Sequence, residues 1–294
     1  FFSAGSDFSR SSWFTPKLID VEPWNVDSKT AHSATFSKTA TLTNYSGRKF
    51  DIALTREVRV LDRNAALKNL GVADDRRLTA VTYQSINDLQ NKGIDAWSKQ
   101  SGLLMMWLLG RFNPSPDTTI VVPFKPGPLD ERGPIVIDEY YSKVPADRLK
   151  IRDGVIFFRG DGDHRSKIGV RAGRATGLMG RYDASNQTLT IIKHTTALPG
   201  DVYVNQKWEV QDHPYEDGDV VNAYNGGPAA NGSRPVSRFF ELESSSPARE
   251  LGPGERIQHT QTTSHFQGDK RALDALSKAV LGVSLAQITE AFPQ

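Results

Sequence analysis

Phe239-Phe240-Glu241-Leu242-Glu243-Ser244-Ser245-Ser246-Pro247 alternates apolar and polar side chains over its first half. In an extended strand alternate side chains share a face, so Phe240 and Leu242 point one way and Glu241 and Glu243 the other. The spacing predicts two carboxylates roughly 7 Å apart along one strand, projecting together into an open groove with Phe240 and Leu242 packed behind them. Such a pair can ligate a cation, bind hydroxyl groups, or hold one acid protonated by mutual repulsion. The same pattern also suits the solvent-facing polar edge of a sheet.

Downstream, Pro253-Gly254-Glu255 makes a turn into a strand from Arg256 to Phe266. Ile257, His259, Gln261, Thr263 and His265 fall on one face; Gln258, Thr260, Thr262, Ser264 and Phe266 fall on the other. Neither face is apolar enough for a dry core, and a strand polar on both sides loses stability unless one side lines a wet cleft. Hydroxyl, amide and imidazole groups are what a carbohydrate-binding surface requires. His259 and His265 lie about 20 Å apart in an extended strand and cannot share one metal. No His-x-His or His-Glu-x-x-His spacing occurs, so neither a metal site nor a cofactor is expected.

Strand patterning dominates the rest of the chain. Phe50, Ile52, Leu54, Val58 and Val60 alternate with Asp51, Thr55, Glu57 and Arg59, the period of a half-buried strand. Ala34 to Thr43 precedes it across the turn Asn44-Tyr45-Ser46-Gly47, which predicts a hairpin. Asp62 to Leu70, closed by Gly71, reads as a short helix. Val155–Phe158, Lys167–Val170, Leu178–Tyr182, Thr188–His194 and Val202–Gln211 read as further strands, the third and fourth joined by Asp183-Ala184-Ser185-Asn186. Pro114 to Pro145 and Asn222 to Pro235 read as long loops, which are functional or flexible in most folds. At the end, Asp269 caps a helix carrying Leu273, Leu276 and Val280 that Gly282 stops, and Ser284 with Gln287 forms a capping box for a second, Leu285 to Phe292. Without repeats or low-complexity linkers, the expectation is one all-β domain over 1–294, with a helical segment at 269–292.

Bulk properties narrow the classes of function. The formal charge is +2, from 36 basic and 34 acidic residues, with no clustered basic stripe, so nucleic acid is not an expected partner. The longest apolar run, Leu103 to Leu109, is far too short to span a membrane. The absence of cysteine rules out disulfides, thiolate metal sites and a Cys nucleophile. The chain begins Phe1-Phe2-Ser3-Ala4, as a processed or trimmed product does; a periplasmic or secreted location is expected, with the cytoplasm as the alternative. Arg159-Gly160-Asp161 sits in a Gly/Asp turn and reads as chance. Asp161-Gly162-Asp163 lacks the later ligands of a calcium loop.

The run Leu242-Glu243-Ser244 … Pro247 … Leu251-Gly252-Pro253-Gly254-Glu255 … His259-Thr260 … Phe266 resembles the closing motif of the galactose mutarotase (aldose 1-epimerase) superfamily. The whole chain is also similar to an uncharacterised bacterial family of the same fold, through Trp13-Phe14-Thr15-Pro16, Leu42-Thr43-Asn44-Tyr45-Ser46-Gly47, Phe112-Asn113-Pro114-Ser115-Pro116 and Tyr224-Asn225 to Pro228. The resemblance implies a galactose mutarotase-like β-supersandwich with short C-terminal helices, and implies that Glu243 is the base that removes the anomeric hydroxyl proton. In the superfamily a histidine on a central strand, after an Asn-x-Gly turn, is the general acid. The comparable stretch, Asn91-Lys92-Gly93 followed by Gly102 to Asn113, holds Trp107 and no histidine. The acid would then be His194, His259 or another group.

These readings predict a carbohydrate-active protein that binds a mono-, oligo- or polysaccharide in a polar cleft. Glu243, His194 and His259 are its candidate catalytic groups. Glu241, Glu209, Trp208, Trp107, Lys167, Tyr224 and His265 are its candidate substrate contacts. An epimerase, lyase or hydrolase acting by proton transfer is the first expectation. A non-catalytic glycan-binding protein is the second, and a structural module of a larger exported assembly the third.

Overall fold

The computed structural model of the chain describes residues 2–9, 11–228 and 238–292. Among them run fourteen strands: β1 Asn25–Lys29, β2 Ser33–Thr43, β3 Lys49–Leu61, β4 Leu78–Asn91, β5 Trp107–Phe112, β6 Thr118–Pro123, β7 Leu149–Arg152, β8 Val155–Arg159, β9 Ser166–Arg171, β10 Leu178–Asp183, β11 Thr188–His194, β12 Asp219–Asn225, β13 Phe240–Ser245 and β14 Arg256–Gly268. Five short helices accompany them: α1 Lys17–Asp20, α2 Arg63–Asn69, α3 Leu129–Arg132, α4 Lys270–Leu281 and α5 Leu285–Thr289. Ten strands form one sheet in the order β1-β2-β3-β4-β14-β11-β10-β6-β8-β7, and four form a second in the order β5-β13-β12-β9. The architecture is the all-β, two-sheet sandwich with short C-terminal helices that the motif resemblance implied.

Local chemistry explains the predicted elements that form. Asn44 Oδ1 accepts the backbone N–H groups of Ser46 (3.1 Å) and Arg48 (2.9 Å), which closes the β2–β3 hairpin. Asp62 Oδ1 caps α2 through Ala65 N at 2.8 Å. Asp269 caps α4 through Ala272 N at 2.9 Å, and Gly282, at φ 73°, ends that helix in the left-handed region. Ser284 and Gln287 form the reciprocal capping box of α5.

Two apolar layers lie on either side of the large sheet. Between the sheets, Phe240, Leu242, Val221, Ala223, Ile168 and Val170 meet Ile120, Val122, Ile156, Phe158 and Ile192. On the far face, Leu273, Leu276, Leu285 and Ile288 of the C-terminal helices cover Val121, Phe157, Leu189, Ile191 and Phe266. This double covering corrects the expectation that Pro114 to Pro145 is a loop. Thr118 to Val122 is β6, buried on both faces, and such a strand shows a continuous apolar run instead of alternation. The expected loop from Asn222 begins inside β12, and its stretch beyond 228 lies outside the described residues.

The predicted strand Val202–Gln211 does not form; only Val202 makes a bridge, to Ala248. Asn205 Oδ1 takes Lys207 N at 3.1 Å, and Gln211 Nε2 reaches back to the carbonyls of Asn205 (3.2 Å) and Lys207 (3.1 Å). These side chains hold the backbone groups locally, in competition with a ladder. β14 is corrected in another respect. Most of its polar side chains are packed away from solvent instead of lining a wet cleft: His259, Gln261, Thr262, Thr263 and Ser264 are all buried.

Candidate functional site

The small sheet turns one face to the sandwich interior and the other outward. On its interior face Phe240 and Leu242 pack into the apolar layer, and on its outward face parity places Glu241, Glu243 and Ser245 of β13. Register brings Leu109 and Asn222 to either side of Glu243, and Arg111 and Tyr224 to either side of Glu241. One strand further, Gly169 lies beside Asn222 and Lys167 beside Tyr224. Trp107 stands next to Ser245 at the other edge.

Glu243 is 1% exposed, which corrects the expectation that it projects into an open groove. Its Oε2 accepts hydrogen bonds from Trp107 Nε1 at 2.9 Å and from Lys167 Nζ at 3.0 Å. The Lys167 ammonium lies 4.9 Å from the Trp107 ring centre and 5.4 Å from that of Tyr140, inside the range of cation–π attraction. Gln206 borders the pair, 3.5 Å from Lys167 Nζ and donating to Ser245 Oγ at 3.3 Å. Glu241 is paired with Arg111 at 3.3 Å. Burial, and then the charge of Glu243, raise the Glu241 carboxyl above the usual carboxylate range.

A third carboxyl belongs to this face. The pairing of β12 with β9 shifts register between Asp219 and Val221, a bulge that changes the side-chain parity of the strand. Asp219 and Asn222, which would otherwise face opposite ways, meet: Asn222 Nδ2 donates to Asp219 Oδ2 at 3.1 Å and to Tyr140 Oη at 3.2 Å. The Tyr140 hydroxyl also donates to Asp219 Oδ2. Burial, with a contribution from the Glu243 charge, pushes the Asp219 carboxyl up to about 7. Gly169 makes the meeting possible, since a Cβ there would collide with both Tyr140 Oη and Asp219 Oδ2.

The three candidate histidines lie elsewhere. His194 and His259 sit inside the sandwich with ring centres 6.1 Å apart. Ser244 donates its one hydroxyl proton to Gln261 Oε1 at 2.7 Å, so His259 Nε2 carries the proton that Ser244 Oγ accepts at 2.8 Å. His194 Nδ1 bonds the Thr195 carbonyl at 3.0 Å. Burial pushes His194 down to about 4 and His259 down to about 3. His265 contacts Thr190 Oγ1 at 2.9 Å and Phe112 edge-on. All three occupy the large sheet, and the β13 backbone with its interior side chains separates His259 from Glu243. The structure therefore does not bring the histidines to the carboxylates.

Trp208 and Glu209 are also apart from the others. Trp208 is 40% exposed and stacks on Trp13, ring centres 6.1 Å apart; Glu209 is exposed and lies 4.0 Å from Lys207. Tyr224 is half-buried on the outward face, against Phe239 and Tyr141. Glu241, Glu243, Lys167, Trp107 and Tyr224 thus share one face. Sequence reasoning missed Tyr140, Asp219, Asn222, Gln206 and Arg111. Alternation of Trp107, Leu109 and Arg111 could have given Arg111, and Asn222 lies two residues from Tyr224. Neither a parity-changing bulge nor the placement of Tyr140 leaves a mark in local pattern.

The chain is similar to several solved structures. A candidate aldose 1-epimerase from Escherichia coli K12 aligns at 12% identity and a TM-score of 0.48, over 85% of this chain and 70% of that one. A galactose mutarotase-like protein from Lactobacillus casei ATCC 334 aligns at 10% identity and 0.45, over 82% and 72%. A galactose mutarotase related enzyme from Lactobacillus acidophilus aligns at 9% identity and 0.41, over 83% and 71%. No curated protein matches the chain. The model of one sequence family, described as Family of unknown function (DUF6786), matches residues 1–292, and the chain belongs to that family.

Proposed function

We propose that the protein binds a saccharide over the outward face of the small sheet and that Glu243 takes a hydroxyl proton from it. The observation that carries this reading is the held carboxylate: Glu243 Oε2 fixed by an indole N–H and an ammonium, beside the half-buried rings of Trp107 and Tyr140. Strands about 4.8 Å apart and a same-face repeat of about 7 Å set Glu241, Asn222 and Lys167 around it at spacings that suit the hydroxyls of a sugar ring. Aromatic faces take the apolar side of such a ring while a few fixed polar groups orient it. The closing-motif resemblance, which puts the superfamily base at Glu243, supports the same assignment.

The ion pair itself favours a second reading. A carboxylate engaged by Lys167 serves recognition without turnover, as in a glycan-binding protein. Anomeric exchange by NMR and a polysaccharide cleavage screen separate the two. Under the first reading the wild type turns a saccharide over, and Glu243→Gln loses about 100-fold or more of the rate while still binding. Binding with no turnover in either assay selects the second, and a wild type that neither binds nor transforms any saccharide discards both.

A further inference from the structure

Proton transfer at a sugar needs a donor as well as an acceptor, and the buried histidines are across the sandwich from Glu243. We propose that Tyr140 and Asp219 form the donor, the Tyr140 phenol giving its proton to a saccharide oxygen and Asp219 behind it restoring that proton. The inference rests on the saccharide reading above and names a role which that reading leaves open.

Three geometric features support it independently. The bulge in β12 turns Asp219 to the face that carries Glu243, and bulges beside functional sites re-aim side chains in this way. Gly169 leaves the space in which Tyr140 Oη and Asp219 Oδ2 touch. Asp219 Oδ1 and Asn222 Oδ1 are both buried without a hydrogen-bond partner among the described residues, an arrangement that needs an explanation in a folded protein. A cluster that only fastened Tyr140 to the sheet would be served as well by asparagine at 219, without burying a carboxyl that is 3% exposed. The charged and titratable groups facing Asp219 are Glu243 on β13, Lys167 and Arg171 on β9, and Tyr140. Lys167 is engaged with Glu243 and Arg171 with Asp217 at 2.5 Å, so no cation is paired with Asp219 among the described residues. Burial, with the Glu243 charge, raises its carboxyl to about 7, and it holds a proton to give below that pH.

With Asp219 protonated, the direction of its contact with Tyr140 reverses: the carboxyl donates to Oη, and the phenol O–H is freed for a saccharide oxygen. As Glu243 takes the anomeric hydroxyl proton, the bond between the anomeric carbon and the ring oxygen breaks, and its electron pair stays on that oxygen. The ring oxygen receives the Tyr140 proton, and the Asp219 proton passes to the phenolate. Glu243 ends protonated, Asp219 ends as a carboxylate, and the sugar is the open-chain aldehyde; closure on the other side of the carbonyl reverses each transfer.

Saturation-transfer NMR of anomeric exchange in D-glucose, D-galactose and D-mannose, from pH 5 to pH 9, tests the assignment. Wild-type exchange is expected to fall as pH rises through about 7. D219N and Y140F are each expected to lose about 100-fold, and D219N to lose that alkaline fall. If either variant keeps the wild-type rate and profile, the donor assignment is wrong while the saccharide reading survives. If the wild type exchanges none of these sugars, infrared difference spectra of wild type minus D219N decide the donor alone. A carboxylic-acid carbonyl band present at pH 6 and absent at pH 8.5 supports a proton held at Asp219, and no such band overturns it.

Discussion

Glu243 and Ser244 are neighbours on one strand, yet they belong to two polar layers with opposite physics. Ser244 faces the sandwich interior, where hydrogen bonds join it to Gln261 and His259, and where His194, bonded to the Thr195 carbonyl, lies beside the His259 ring in the same neutral layer. Glu243 faces outward among full charges: its own, that of Lys167, and the Glu241–Arg111 pair. Buried neutral polar groups need only matched donors and acceptors, whereas buried charges need counter-charges. The comparison shows why histidines on a strand are a poor guide to chemistry here. The interior layer has the residue types of a site but is packed between the sheets, while the outward face surrounds its charges with half-buried rings.

The largest effect expected from breaking the outward layer is on the Lys167–Glu243 pair. Lys167→Ala leaves Glu243 buried with an indole N–H but no counter-charge, and removing one partner of a buried ion pair costs about 3–5 kcal/mol. Urea denaturation measures the loss. The double variant Lys167→Met with Glu243→Leu recovers most of it, because an apolar pair of similar volume carries no desolvation penalty. A single-variant loss below about 1 kcal/mol would place the pair in water, and the contrast with the interior layer would disappear.

The interior layer is expected to respond to acid instead. An unfolded histidine takes up a proton near pH 6.5, while burial holds His194 off to about 4 and His259 to about 3. His194 Nε2 and His259 Nδ1 have no partner, so a proton on either is a buried, unpaired cation. At these two histidines the unfolded chain therefore binds more protons below pH 6.5, and their contribution to stability falls as pH drops from there toward 4, against the opposite contribution of the raised Asp219 carboxyl. Urea denaturation of wild type and variant at pH 7.5 and pH 5 isolates the histidine part: at pH 5 His259→Gln lessens the wild-type loss by about 2 kcal/mol. The same variant leaves saccharide binding intact. If it abolished binding and left the acid limb unchanged, the two layers would have exchanged roles.

How much of this was legible follows from which residues alternate. β2, β3, β9, β10, β11 and β13 show turn signals or alternation, and the two C-terminal helices show their caps, so local rules find them. β6 hid because both its faces are buried, and Val202–Gln211 misled because Asn205 and Gln211 satisfy the backbone locally. Alternation also puts Glu241 and Glu243 on one face. It cannot reveal Asp219, whose parity is changed by a bulge between Asp219 and Val221, nor Tyr140, which reaches the sheet from outside the strands. β14 shows the converse failure: polarity on both faces read as wetness, but hydrogen bonds such as Gln84 Nε2 to Thr262 Oγ1 at 2.7 Å make a buried polar strand affordable.

The smallest effect is expected at the rim, and it separates charge placement from packing. Arg111 is largely exposed, lies 4.0 Å over the Phe239 ring and pairs with Glu241 at 3.3 Å. Exposed pairs of this kind contribute up to about 1 kcal/mol, so Arg111→Ala shifts the urea midpoint little. Its electrostatic effect is larger in proportion. Burial and the charge of Glu243 raise the Glu241 carboxyl, and Arg111 is the first of the groups that oppose them. Without the guanidinium Glu241 titrates higher still, which carboxyl chemical shifts in a carbon-13-labelled sample report directly. A raised Glu241 with unchanged stability means that Arg111 sets the charge of the outward face and does not hold it together. A loss of stability above about 2 kcal/mol, beyond what such pairs supply when one partner is exposed, would make the rim part of the packing, as Ser244 and His259 are on the interior side of β13.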